Sequence, residues 1–294
     1  MGLFEKRKFL GAVRGTYGRL NGGFMNKLIE KLRVKPNRKV FLAELDPAWT
    51  GQWHSKESCD ETVEKNIDRL FELQNLLFAE NTRALLIVLQ AMDGGGKDGT
   101  IRHVMRGLNP QGCRVAALKE PSQEEQHHDY LWRIHQKIPA RGEIGIFNRS
   151  HYEDVLVSRV HKTITHQVCK QRYEQINAFE KMLTENDVTI LKFYLHISRK
   201  EQKQRFRKRL DDPKKNWKFS LTDIAERKYW DQYMKAYEHA LTHCSTPWAP
   251  WFVIPADKKW FRNFAVSQII VDTMKQFHMK LPAARFDPKT INLD

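Results

Sequence analysis

Ala84 to Leu89 is an unbroken apolar run, and three glycines, Gly94 to Gly96, follow it closely. A short apolar run bounded by glycine predicts a strand buried on both faces. Upstream, Val63, Ile67, Leu70, Leu73, Leu77 and Phe78 recur at helical spacing and predict an amphipathic helix from Ser58 to Asn81. Downstream, Asp98 to Met105 reads as helix, Cys113 to Leu118 as strand, Glu124 to Lys137 as a helix ended by Pro139, and Glu143 to Phe147 as a third strand. A helix from Gln167 to Leu183, a strand from Val188 to Ile197, a fifth strand from Trp251 to Pro255 and a closing helix from Lys259 to Phe277 complete the pattern. Val40 to Glu44 reads as a further short strand, with Asp46-Pro47 opening a loop through Trp53. Strands alternating with helices predict an α/β fold, a doubly wound, mainly parallel five-stranded sheet flanked by helices. Ligands of such sheets bind beyond the carboxyl ends of the strands, where the glycine loop and the segment 148 to 154 both fall.

The order strand, glycine loop, lysine, helix carries a definite chemistry. Glycines let backbone N–H groups converge on phosphate oxygens, the helix start adds partial positive charge, and Lys97 adds a full one. The candidate phosphate-binding residues are therefore Gly94, Gly95, Gly96, Lys97, Asp98, Gly99 and Thr100. The spacing G-x-x-x-x-G-K-[ST] is met in part: Ala91 stands at the first glycine position and Asp98 follows Lys97, with Thr100 two positions late. Asp93, a carboxylate inside a phosphate loop, calls for a cation between it and the anion. Mg²⁺ is the expected cofactor, with Mn²⁺ as an alternative and Asp93 as its ligand. Asp98 reads either as a second ligand or as a first-turn acid favoured by the helix dipole.

Charge narrows the partners. Fifty lysines and arginines against thirty-five acids leave +15, which requires a polyanionic partner. No zinc-finger spacing or RNP-like aromatic box accompanies that charge, so no specific nucleic acid is expected, and an inorganic phosphate chain would exploit the same field. Cys59, Cys113, Cys169 and Cys244 lie far apart, and the twelve histidines are scattered, so neither a disulfide framework nor a zinc site is expected. The chain shows no bilayer-length apolar run and no secretory leader, and Lys6 stands where a myristoylation signal carries Ser or Thr; a cytoplasmic protein with no membrane partner is expected. Positive charge gathers in two places. One is residues 1 to about 40, read as a basic arm. The other is Arg199 to Ser245, where Asp212-Pro213 breaks a helix before Trp217 and Phe219, read as a hinged basic lid over the active edge.

The motifs LDPAWTG, LQAMDGGGKDGTIRHV, LNPQGCRV, LWRIHQKIPARGEIGIFNRSHYEDVLVSRV, RLDDPKKNWKFS and TPWAPWFVIPADKKWFRN occur in that order from about Phe41 to Val271. Together they resemble the polyphosphate kinase 2 family. That resemblance implies a P-loop kinase-like domain over 56–294, with lid about 199–245, behind a basic N-terminal extension over 1–55. It implies Asp93 and Lys97 in catalysis, Asn148-Arg149-Ser150 as the Walker B equivalent, and nucleotide contacts from Asn148, Arg149, Glu153 and Asp154. Many members carry aspartate where this chain has Asn148; the chain is similar to the subgroup with Asn there and Glu153-Asp154 beyond it. Members of that subgroup accept both nucleoside mono- and diphosphates. The carboxylate role would then shift towards Asp93 and Glu153. The implied reaction is reversible Mg-dependent transfer of the terminal phosphoryl of inorganic polyphosphate to AMP or ADP, yielding ADP or ATP, or to GMP or GDP, yielding the corresponding guanine nucleotides. Lys97 and Arg149 would hold the moving group, and Arg205, Arg209, Lys214 and Lys218 would close from the lid. The resemblance further implies a homotetramer built as a dimer of dimers. Two other readings stay open on the residues alone: an ATP-dependent nucleotide or nucleoside kinase, and a basic nucleic-acid-binding protein.

Overall fold

A computed structural model describes residues 23–284 together with 286, 287, 290 and 291. The basic arm expected at the start of the chain lies, up to residue 22, outside the described residues. The elements are α1 (Gly23–Leu32), α2 (Glu57–Glu80), β1 (Ala84–Gln90), α3 (Lys97–Val104), β2 (Cys113–Ala117), α4 (Gln123–Gln126), α5 (Trp132–His135), β3 (Ile144–Asn148), α6 (Glu153–Val160), α7 (His166–Glu185), β4 (Val188–His196), α8 (Arg199–Leu210), α9 (Leu221–Arg227), α10 (Trp230–Cys244), β5 (Trp251–Pro255) and α11 (Lys259–Lys275).

The five strands form one sheet in the order β2-β3-β1-β4-β5. Every pairing is parallel, with Leu85 opposite Ile144, Ala84 opposite Val188, Cys113 opposite Ile144 and Lys192 opposite Trp251. All seven residues of β1 are buried, as the unbroken apolar run predicts for the centre of a sheet covered on both faces. The chain leaves β1 towards β3 and β2 on one side, then returns to β4 and β5 on the other. The strand order therefore reverses at β1, which opens a crevice beyond its carboxyl end. On one face Ile67, Leu70, Leu73 and Leu77 of α2 are buried where that helix packs on α11, itself buried through Phe261, Phe264, Ile269, Ile270 and Met274. Each such side chain contributes roughly 1.5–3 kcal/mol of burial free energy.

Two sequence expectations are corrected. Val40 to Glu44 is not a strand: the N–H groups of Val40 and Leu42 donate to Thr242 Oγ1 and Glu238 Oε1 of α10, and Leu42–Glu44 closes into a single 3₁₀ turn. The helix expected from Glu124 to Lys137 is two short pieces. Ser122 and Glu125 form a capping box that starts α4, and Asp129 Oδ1 then accepts the N–H of Leu131, drawing the backbone out of the helical ladder. The described part of the N-terminal extension is built into the core. Leu28, Ile29, Leu32, Val34 and Leu42 are buried, and Val34 N donates to Trp251 O at 2.9 Å, covering the outer edge of β5.

Candidate active site at the carboxyl edge of the sheet

The loop between β1 and α3 is shaped by close approaches. A Cβ at Gly95 would stand 2.4 Å from Ala91 Cβ, and one at Gly96, where φ is +104°, would stand 2.0 Å from Arg262 Nη1. Only glycine fits either position. Arg205, 7 % exposed, braces the loop from α8: its Nη1 donates to the carbonyls of Gly94 and Gly95 at 2.9 and 3.0 Å, its Nη2 to those of Ala256 and Asp257, and its Nε to Glu201. Lys97 Nζ donates to Ala91 O at 2.8 Å. Burial depresses the proton affinity of Lys97, and Asp93 works against that shift. Thr100 is fully buried, and its hydroxyl donates to Gly96 O at 3.1 Å, so it serves the first turn of α3 and does not line the cleft.

The turn after β3 supplies the opposing wall. Arg149 sits at φ +66°, a conformation that costs a non-glycine residue energy and is retained where surroundings dictate it. Its N–H donates to Leu89 O, its Nη2 to Asp93 Oδ1 at 2.9 Å and its Nη1 to Glu153 Oε2 at 3.1 Å. Burial opposes the charge on this guanidinium, but Glu153 and Asp93 outweigh it and raise its proton affinity. Asn148 Nδ2 donates to Asp98 Oδ1 at 2.6 Å. An aspartate at 148 would set two carboxylates against each other there; the amide instead holds Asp98 in place.

Between these walls and the lid lies a cleft of about 690 Å³. Asp93, Gly94, Gly96, Lys97, Asp98, Gly99, Asn148 and Arg149 line its floor, and Lys208, Arg209, Lys215, Trp217 and Lys218 line its roof. A recess of about 30 Å³ on the far side of the Asp93–Arg149 pair is lined by Glu153, Asp223, Tyr233 and Tyr237. Of the segment expected as a lid, α8, the 3₁₀ turn at Asn216–Lys218 and Asp223 of α9 line the cleft, whereas α10 packs on α6 and α7.

Several expected site residues are placed differently. Arg205 lines the cleft, yet its donors are spent on loop carbonyls, so it braces the loop. Lys214 is exposed outside the cleft, offering its carbonyl to the Trp217 indole N–H. Arg209 lies in the roof, paired with Asp223 at 3.4 Å. Asp154 faces a separate cavity of about 460 Å³ with Arg133, Tyr130 and Arg172, and Arg172 Nη1 stands 3.7 Å from its carboxylate. The residue that sequence reasoning missed is Arg262. It is 2 % exposed, lies against Gly96 and Gly99, and among the described residues its guanidinium donates to no carboxylate, only to Asn263 Oδ1. Burial, and then Arg205, push its pKa down to about 9. A buried cation facing a second cation and a helix start is stabilised by an anion. The signal was present in DKKWFRN, whose arginine falls in the first turn of the helix after β5.

A family profile described as Polyphosphate kinase 2 (PPK2) matches residues 53–282. The chain belongs to the polyphosphate kinase 2 family. It is 49 % identical over 255 residues to an AMP/ADP-polyphosphate phosphotransferase of Meiothermus ruber, covering 86 % of this chain and 96 % of that relative. It is 44 % identical over 265 residues to an ADP-polyphosphate phosphotransferase of Rhodopseudomonas palustris, covering 86 % and 92 %. Among solved structures, the crystal structure of polyphosphate kinase 2 from Arthrobacter aurescens TC1 aligns with a TM-score of 0.86 at 45 % identity, covering 88 % of this chain and 93 % of that one.

The residues of this polyphosphate kinase 2 chain suit a magnesium ion. Among the described residues no group of three His, Cys, Asp or Glu side chains converges to cage a metal. Mg²⁺ needs no such cage, since it takes one or two carboxylates and completes its shell with phosphate oxygens and water. Asp93, in the loop and lining the cleft, fits that requirement. Amides, Lys97, Arg149, Arg262 and the roof lysines around one space can neutralise a phosphate chain and hold it in line with an acceptor.

Proposed function

We propose that this protein transfers the terminal phosphoryl group of inorganic polyphosphate to nucleotides, AMP and ADP foremost, forming ADP and ATP. The observation that carries the reading is a single cleft in which the glycine loop, Lys97, Arg149 and the buried Arg262, which meets no carboxylate among the described residues, face the lysines of the lid. That array suits an extended polyanion better than a compact triphosphate, because cations continue from the loop out along the roof. The relatives named for acting on AMP or ADP with polyphosphate support the same choice.

In the mechanism, loop amides and Lys97 hold the donor's terminal phosphates, with Arg262 on the side of α11. Arg149, fixed by Asp93 and Glu153, reaches the transferring group and offsets its negative charge for in-line attack by the acceptor phosphate. Magnesium held by Asp93, with Mn²⁺ as a substitute, would screen charge between donor and acceptor. Lys208, Arg209, Lys215 and Lys218 cover the chain and exclude water. The acceptor is placed on the Arg149–Glu153 side. A cytoplasmic homotetramer is part of the proposal.

The test is a matrix of AMP, ADP, GMP and GDP against polyphosphate and ATP as donors. ATP should form from ADP only when polyphosphate is supplied. Phosphorylation of a nucleoside by ATP without polyphosphate would replace this reading with that of an ATP-dependent kinase.

A further inference from the structure

Beneath the turn that carries Arg149 and Glu153 lies a buried ionic cluster with no direct access to substrate. Lys192 on β4 and Glu180 on α7 are both 0 % exposed, and their Nζ and Oε2 are 2.5 Å apart. Lys192 Nζ also donates to Tyr152 Oη at 2.8 Å and to Cys244 O at 2.7 Å, so the three protons of the ammonium each have an acceptor. Glu180 Oε1 accepts from Tyr152 Oη at 2.9 Å and lies 3.3 Å from His151 Nε2. Burial alone would raise the Glu180 carboxyl, but Lys192 and His151 outweigh it and hold it below the usual range.

A buried ion pair is poor evidence for stability, since apolar residues of similar volume serve as well or better. What the charges add is direction, and the directions here are specific. His151 and Tyr152 are the middle of the turn whose ends are Arg149 and Glu153. Ser150 is tied separately: Gln90 Nε2 donates to its Oγ at 3.0 Å, and its Oγ accepts Tyr152 N. Cys244 is the last residue of α10, the helix that ends the lid run, and its carbonyl is one that the helix itself leaves unpaired. One ammonium therefore joins the base of the lid to the turn that aims Arg149 with a positive φ.

We propose that Lys192 and Glu180, acting through Tyr152 and His151, are positioning residues that fix Arg149 and Glu153 for transfer and tie that turn to the root of the lid. The inference rests on Arg149 belonging to the transfer site. It goes beyond the proposed function because none of the four side chains lines the cleft.

The test compares the double variant Lys192→Met/Glu180→Leu, the single variant Tyr152→Phe and the reference Arg149→Ala with wild type, reading thermal midpoint, kcat, and KM for polyphosphate. The double variant replaces the pair with apolar groups and leaves no orphan charge. It should unfold near the wild-type midpoint, yet lose roughly tenfold to hundredfold in kcat, because small misplacements of a transfer group cost on that scale. Its KM for polyphosphate should stay within about twofold, since Lys97, Arg262 and the roof lysines are untouched. Tyr152→Phe removes one hydroxyl and no charge, and should show a smaller kcat loss with the same KM. Wild-type kcat in both the double variant and Tyr152→Phe would overturn the proposal and leave the cluster a packing feature. If the double variant does not fold, Tyr152→Phe decides alone: a selective kcat loss supports the proposal and an unchanged kcat overturns it. Wild-type turnover by Arg149→Ala would remove Arg149 from the transfer site and the inference with it.

Discussion

Lys97, half-buried, and Arg262, buried, are two cations whose environments disfavour charge, and both line the cleft where a phosphate chain would lie. For Lys97 the consequence is a pH profile. Burial lowers its proton affinity in the free protein, with Asp93 first and then Glu153 and Asp98 working against that shift; a bound phosphate chain would favour the ammonium and raise it again. The alkaline limb of kcat/KM, which reports the free enzyme, should therefore lie at lower pH than the alkaline limb of kcat, which reports the complex. Coincident limbs would mean that Lys97 does not meet the donor. Gly96 ties loop to arginine. Gly96→Ala forces a Cβ into φ +104° and onto Arg262, and should destabilise the fold by about 1–2 kcal/mol while raising KM for polyphosphate. Thermal unfolding and initial rates measure both effects. The loop chemistry was legible in the sequence because the glycine spacing and Lys97 are adjacent in the chain. The role of Arg262 was not, because only the packing of α11 on α3, far apart in the chain, brings it to the loop.

At the scale of elements, the strands were the most readable part: β5 runs over the same residues as the sequence reading, and β1 and β2 differ by one residue at their ends. Apolar runs in a parallel sheet leave little ambiguity. The segment between β2 and β3 departs from its helical pattern because Asp129 captures a backbone N–H, a local competition that helical periodicity does not record. Within the lid, the structure sorts lysines that looked alike in sequence. Lys208, Lys215 and Lys218 line the cleft, and Lys214 does not. Replacing the first three with alanine should raise KM severalfold more for long than for short polyphosphate, whereas Lys214→Ala should leave both nearly unchanged. Equal effects on long and short chains would argue against a channel along α8 and the 3₁₀ turn.

For the whole molecule, a net charge of +15 makes capture of a polyanion a long-range effect. Raising ionic strength should raise KM for polyphosphate steeply while changing kcat little, since contacts buried at the loop are screened less than exposed lid lysines. A flat KM across ionic strength would confine recognition to the loop alone. The doubly wound architecture was legible from alternation of strands and helices, and its strand order places the reversal at β1, where the loop begins. The positive φ of Arg149 and the buried ion pair beneath it were not, since both depend on tertiary packing.

The most direct measurement is the rate of ATP formation from ADP and polyphosphate by Lys97→Ala, with its thermal midpoint matched to wild type. A folded variant slower by about 10²–10³-fold or more is the expected result, in line with removing a charge from a transferring phosphoryl group. A folded variant with wild-type turnover would contradict it, and the cleft above the glycine loop would not be where transfer occurs.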